Sequence, residues 1–143
     1  MSSDDQNEFG ISGIWIPVEV DWHPILTSIE KRLFGYIQNL SKGTGGCYAK
    51  NFYLSMLLNV SQSVTSMSIS NLKKEGFITI DFVYDPQTGR KERKIDIDNS
   101  FYKKYMKYVK KVHYIVVEQN YNTKPDKTKD MLLEIYNNVF NIK

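Results

Sequence analysis

The sequence predicts a mainly helical α+β domain: three helices followed by a two-stranded hairpin, with more helix towards the end of the chain. Three observations predict it. Apolar residues recur at helical spacing over residues 27–41 and 62–75. Asn59, a residue that tolerates the left-handed conformation, and Ser61, a good helix cap, punctuate the chain just before the second of those runs. Two alternating runs, 77–84 and 91–98, flank DPQTG, which offers Pro86 and Gly89 for a turn.

Residues 1–12 are polar and acidic and are expected to be a disordered tail. Ile14–Val20, IWIPVEV, is β-branched and aromatic and predicts a short strand, at a sheet edge because Pro17 has no N–H. Thr27 and Glu30 have the spacing of a capping box, and Ile29, Leu33, Ile37 and Leu40 form the stripe of the helix they start. Lys42–Cys47, KGTGGC, ends that helix as a glycine-rich, mobile connection; it lacks the spacing of a phosphate-binding loop. In the short second helix, Phe52 or Tyr53 with Leu54, Leu57 and Leu58 form the buried side. In the third, Val64, Thr65, Ser68, Ile69 and Leu72 share one face, Gln62, Ser63, Ser66, Met67, Ser70 and Lys73 the other, and Gly76 closes the helix.

Beyond the hairpin, 100–119 carries Phe101, Tyr105, Tyr108, Val109, Val112 and Val116 on one side and Lys103, Lys104, Lys107, Lys110 and Lys111 around the rest. A linker follows, then a helical segment with Met131, Leu132, Ile135, Val139 and Phe140 on one face. The lysines read as a solvated face and the tyrosines as core. The last stripe has little left to pack on, which predicts a two-fold dimer. The expected organisation is a tail over 1–12, a hairpin-bearing domain over 13–99 and a helical extension over 100–143.

Charge is distributed unevenly. Residues 1–30 hold Asp4, Asp5, Glu8, Glu19, Asp21 and Glu30 and no Lys or Arg. Residues 73–111 hold eleven cations against six acids, so one electropositive face and a polyanionic partner are expected although the net charge is only +3. One cysteine, Cys47, permits no internal disulfide and fits a reducing cytoplasm. No signal peptide and no membrane span are expected.

The order strand, helix, helix, tight turn, helix, basic hairpin is that of a winged helix-turn-helix. Within it, Ile16-Pro17, Glu30-Lys31, Ser41 to Gly43, Cys47, Ala49, Asn51, Leu54, Leu57, Val60-Ser61, Ile69, Leu72, Gly76 and Ile78 resemble the helix-turn-helix domain at the front of many phage and plasmid replication proteins. The resemblance covers about half the chain. It implies binding to double-stranded DNA with a sequence preference, the third helix lying in the major groove. It assigns base reading to Gln62, Ser63, Ser66, Met67 and Ser70. The chain departs from that family at Thr65, where valine is usual, and at Met67, where arginine is frequent.

The third helix therefore carries no Lys or Arg from Ser61 to Asn71. Phosphate contacts would come from Lys73 and Lys74 at its end and from Arg90, Lys91, Arg93 and Lys94 on the hairpin. The expected role is replication initiation or transcriptional regulation in a phage, plasmid or mobile element. The resemblance favours replication and the short length favours regulation. The alternative is a winged-helix protein-interaction module that inhibits or recruits a host factor; either role admits a host or replication protein as partner.

Nothing in the sequence frames a catalytic site. His23 and His113 lie in different segments without neighbouring ligand types, and no zinc spacing exists. His23, between Trp22 and Pro24, reads as a packed loop residue, and Asp96 and Asp98 as one solvated sheet face. A non-enzyme without cofactor or metal is the expectation.

Overall fold

The computed structural model describes residues 11–100, 107–108, 110–111, 114, 130 and 133–138. Most of the acidic tail and most of the two C-terminal helical segments thus lie outside the described residues. The elements are α1 (Val18–Asp21), α2 (Ser28–Ser41), α3 (Asn51–Leu58), α4 (Gln62–Lys74), β1 (Ile78–Tyr84) and β2 (Lys91–Ile97). They fall into two compact units, one of residues 11–16 with Thr27–Asp98, the other of Pro17–Leu26 with the described residues beyond 98.

In the first unit several helix starts and stops have a local cause. Thr27 Oγ1 accepts the Glu30 N–H at 3.2 Å, and Glu30 Oε1 accepts the Thr27 N–H at 3.0 Å, completing the capping box. Glu30 is buried, and its other oxygen accepts from Asn71 Nδ2 at 2.9 Å, tying the start of α2 to α4. Asn59 sits at φ 56°, ψ 47°, and ends α3. Arg32 Nη1 reaches the last carbonyl of α3, Leu58 O, at 3.3 Å. Ser61 Oγ then accepts the Val64 N–H at 3.1 Å to start α4. At the far end Gly76, φ 86°, lets its own N–H return to Lys73 O and that of Phe77 to Leu72 O, both at 3.0 Å. That pair of bonds is a Schellman closure.

The core of this unit is Leu33, Phe34 and Ile37 of α2, Leu54, Leu57 and Leu58 of α3, Ile69 and Leu72 of α4, then Phe77, Ile78 and Ile95, with Cys47. Phe34 and Phe77 meet edge to face, ring centroids 6.0 Å apart. β1 and β2 pair antiparallel from Ile78↔Ile97 to Tyr84↔Lys91. The glycine-rich connection does more than link helices. Cys47 and Ile95 exchange backbone hydrogen bonds of 2.8 Å each way, so the connection adds one residue of pairing to β2.

Two expectations need correction, and one alternative is decided. The predicted strand Ile14–Val20 is not one: residues 14–17 join no sheet and Val18–Asp21 is a single helical turn. β-branched residues favour a strand only where an edge is offered. Instead Ile14 and Ile16 lie over Gly35 of α2, whose Cβ position would be 3.1 Å from Ile14 Cδ1 and 3.4 Å from Ile16 Cγ1. Asn39 Nδ2 holds Gly13 O beside them at 3.4 Å. Pro17 O then accepts from Val20 and Asp21 and opens the turn. Secondly, Phe52 is exposed and Tyr53 takes the half-buried position on α3. Thirdly, Val64 is exposed, because it lies about 90° round the helix from the centre of the face formed by buried Thr65, Ser68, Ile69 and Leu72. Thr65 satisfies its hydroxyl by donating to Ser61 O at 3.0 Å, so the position tolerates threonine in a packed site.

In the second unit Val20, Leu26, Ile135 and Tyr136 are buried. His23 is packed as expected, its Nδ1 accepting from the N–H groups of Ile25 and Leu26 at 3.2 and 3.3 Å. Its ring meets Tyr136 edge to face at 4.8 Å. Tyr108 stands perpendicular to Tyr136 at 5.5 Å and donates to Trp22 O at 3.1 Å; burial pushes its phenol pKa up. Tyr114, expected in the core, is mostly exposed, as are Lys107, Lys110 and Lys111.

Candidate nucleic-acid interface

α4 packs by one side against α2 and α3 through Thr65, Ser68, Ile69 and Leu72. Its other side, Gln62, Ser63, Ser66, Met67 and Ser70, is exposed from end to end, with Lys73 and Lys74 following in the last turn. The structure therefore brings all seven of these predicted positions onto one solvent-facing helix. The surface is chemically mild: one amide, three hydroxyls and a thioether before the first cation. Such groups can pair with base edges or lie on a thymine methyl.

The hairpin treats its four cations differently. Arg90 and Lys91 are exposed at the tip. The tip is set by Asp85, whose Oδ1 accepts the Gln87 N–H at 2.8 Å while its backbone exchanges bonds with Gly89 and Arg90. The Gln87 N–H, with a smaller contribution from Thr88, holds the Asp85 carboxyl below the ordinary aspartate range.

Arg93 and Lys94 are half-buried. Arg93 Nη1 donates to Asn51 Oδ1 at 2.6 Å and Nη2 donates to Ala49 O at 2.8 Å. The guanidinium thus clasps β2 to the chain entering α3, and burial lowers its pKa, opposed by the Cys47 sulfur. Cys47 is fully buried and desolvation pushes its thiol up, so it is not a reactive group. Lys94 lies against Gly46 and pairs with Asp96 at 3.5 Å. Two of the four wing cations are therefore free to meet a phosphate and two are engaged within the chain.

Two features were not foreseen from the sequence. Phe82 and Tyr84, 67% and 62% exposed, stand on the same hairpin face as buried Ile78. Alternation alone reads Ile78, Ile80, Phe82 and Tyr84 as one inward stripe; the signal that could have separated them is strand length. A seven-residue hairpin outruns the helices that cover its base. Among the described residues no group of His, Cys, Asp and Glu could hold a metal ion, and no helix is long and apolar enough to cross a membrane.

Three helices with a left-handed turn between the last two, closed by an antiparallel hairpin tied back to α3, make this a winged helix-turn-helix fold. No protein-family model and no curated protein sequence matches the chain. One solved structure similar to it is the crystal structure of MepR, a transcription regulator of the Staphylococcus aureus multidrug efflux pump MepA. The two share 12% identity over 88% of this chain and 90% of that one, with a TM-score of 0.42.

Proposed function

We propose that this chain is a non-catalytic, sequence-preferring binder of double-stranded DNA, with α4 in the major groove and the hairpin tip on the phosphate backbone. The observation that carries this reading is the pairing of one exposed, uncharged helix face with exposed cations: Lys73 and Lys74 at its end, Arg90 and Lys91 on the wing. Phosphates supply most of the affinity and salt dependence, base edges the preference. Gln62, Ser63, Ser66, Met67 and Ser70 favour A·T-rich sites, since none offers the paired donors that read guanine. The resemblance in the sequence favours replication initiation in a phage, plasmid or mobile element over transcriptional regulation. A cytoplasmic homodimer on a two-fold site fits the same reading.

The test is a salt titration of the full chain on random-sequence duplex DNA, with the bound fraction sequenced. Steep salt dependence with an enriched site is expected. No binding at low salt overturns the reading and leaves the protein-interaction module, with a host or replication protein as partner. Sedimentation showing a monomer at tens of micromolar removes the dimer.

A further inference from the structure

A cleft of about 490 Å³ opens between the inner face of the hairpin and the chain entering α3. That volume is in the range of a ligand site. Tyr48 and Phe82 supply two aromatic rings, and Lys50, Arg90, Lys91 and Arg93 supply four cations; Glu92 is the one acid among the lining residues. Phe82 has no polar handle, yet two thirds of it is exposed. A ring left in water at the mouth of a cationic cleft suits a ligand that is both flat and anionic. Nothing in the duplex-binding surface of α4 uses it.

We infer that this cleft holds an unpaired nucleotide of single-stranded DNA, the base stacked against Phe82 and Tyr48 and the flanking phosphates on Lys50, Arg90 and Lys91. The proposal rests on the reading of the chain as a DNA-binding protein. A base inside a duplex has both faces covered by its neighbours and meets a protein ring only at the cost of unstacking a step, so an unpaired base fits this chemistry best. Stacking on an aromatic ring beside backbone-tracking cations is the usual way single strands are held without regard to sequence. The Arg93 clasp on Ala49 O and Asn51 Oδ1 keeps the two walls at a fixed separation, so the cleft is preformed. A protein that reads a duplex with α4 and holds an unpaired base beside the wing is suited to a junction between double and single strand.

The experiment compares the full chain on three labelled probes: a duplex carrying the selected site, the same duplex with a five-nucleotide thymidine extension, and an oligothymidine holding one 2-aminopurine. The extension is expected to tighten binding several-fold, and 2-aminopurine fluorescence is expected to fall on binding. Phe82→Ala should abolish the several-fold gain from the extension, cost roughly tenfold or more on the oligothymidine, the worth of one base stack, and leave the plain duplex within twofold. Phe82→Trp should retain single-strand binding and Phe82→Leu should not. If the plain duplex binds and the extension adds nothing, the inference is overturned and the duplex reading stands. If Phe82→Ala weakens all probes equally, or Phe82→Leu binds as well as Phe82→Trp, the cleft is not a stacking site. If no probe binds, both readings fall, and the exposed rings mark a protein-docking face.

Discussion

α4 and the hairpin are neighbours in sequence and opposites in chemistry. The exposed side of α4 has hydroxyls, an amide and a thioether but no charge before Lys73, and its geometry is locked by a capping bond, a Schellman closure and the Glu30–Asn71 link. The hairpin carries cations and exposed rings but has core under only its base, at Ile78 and Ile95. The difference separates two jobs. A rigid, uncharged helix can discriminate among base edges without binding every duplex tightly. A cationic arm can bind every duplex without discriminating.

The largest difference between the two elements is expected from Arg93→Ala. Its two hydrogen bonds attach the hairpin to the start of α3, and hydrogen bonds to a charged, partly buried group are worth about 2 kcal/mol. Hydrogen exchange should show β1 and β2 amides losing protection by roughly that amount while α4 amides keep theirs. Equal loss in α4 would mean that the two elements are one cooperative piece. Next in size is Arg90→Ala combined with Lys91→Ala. Affinity should drop for all sequences alike, with the salt slope lowered by roughly one to two units. A changed site preference would put the tip in contact with bases. Gln62→Ala should do the reverse, costing about 1 kcal/mol at adenine positions of the selected site and little on random duplex. Selection that returns the same site with Gln62 removed would assign α4 to solvent or to a protein.

The helix ends were legible because their signals are local. Thr27 with Glu30, Asn59, Ser61 and Gly76 each act within a few residues, and each does what its chemistry dictates. What was not legible depends on distant partners. Arg90 and Arg93 look alike in the sequence, yet Arg93 is engaged by Ala49 and Asn51, residues 44 and 42 positions away. Ile14 and Ile16 have strand propensity, but they pack in the slot above Gly35 of α2 instead. Phe82 and Ile78 share an alternation that cannot say where the helical body stops. The exposed candidate residues could thus be written down, but not which cations were free, nor that two rings stood beside them.

The mildest perturbation acts on the turn that presents Arg90 and Lys91. Asp85 accepts the Gln87 N–H through its ionised carboxylate, and that bond is the main reason its pKa is lowered. A depressed folded-state pKa stabilises the turn fully above the unfolded value and gives that stabilisation up as pH falls through the folded one. The turn should therefore be unchanged from neutral pH down to the ordinary aspartate range and loosen only below it. Side-chain carboxyl NMR should give Asp85 a titration midpoint below that of a free aspartate, with the Gln87 amide shifting in step. The exposed face of α4 from Gln62 to Ser70 has no acid and should show no matching transition. If Asp85 titrates at or above the ordinary range, the turn is held by its backbone bonds to Gly89 and Arg90 alone. The display of the two free cations then owes nothing to the carboxylate.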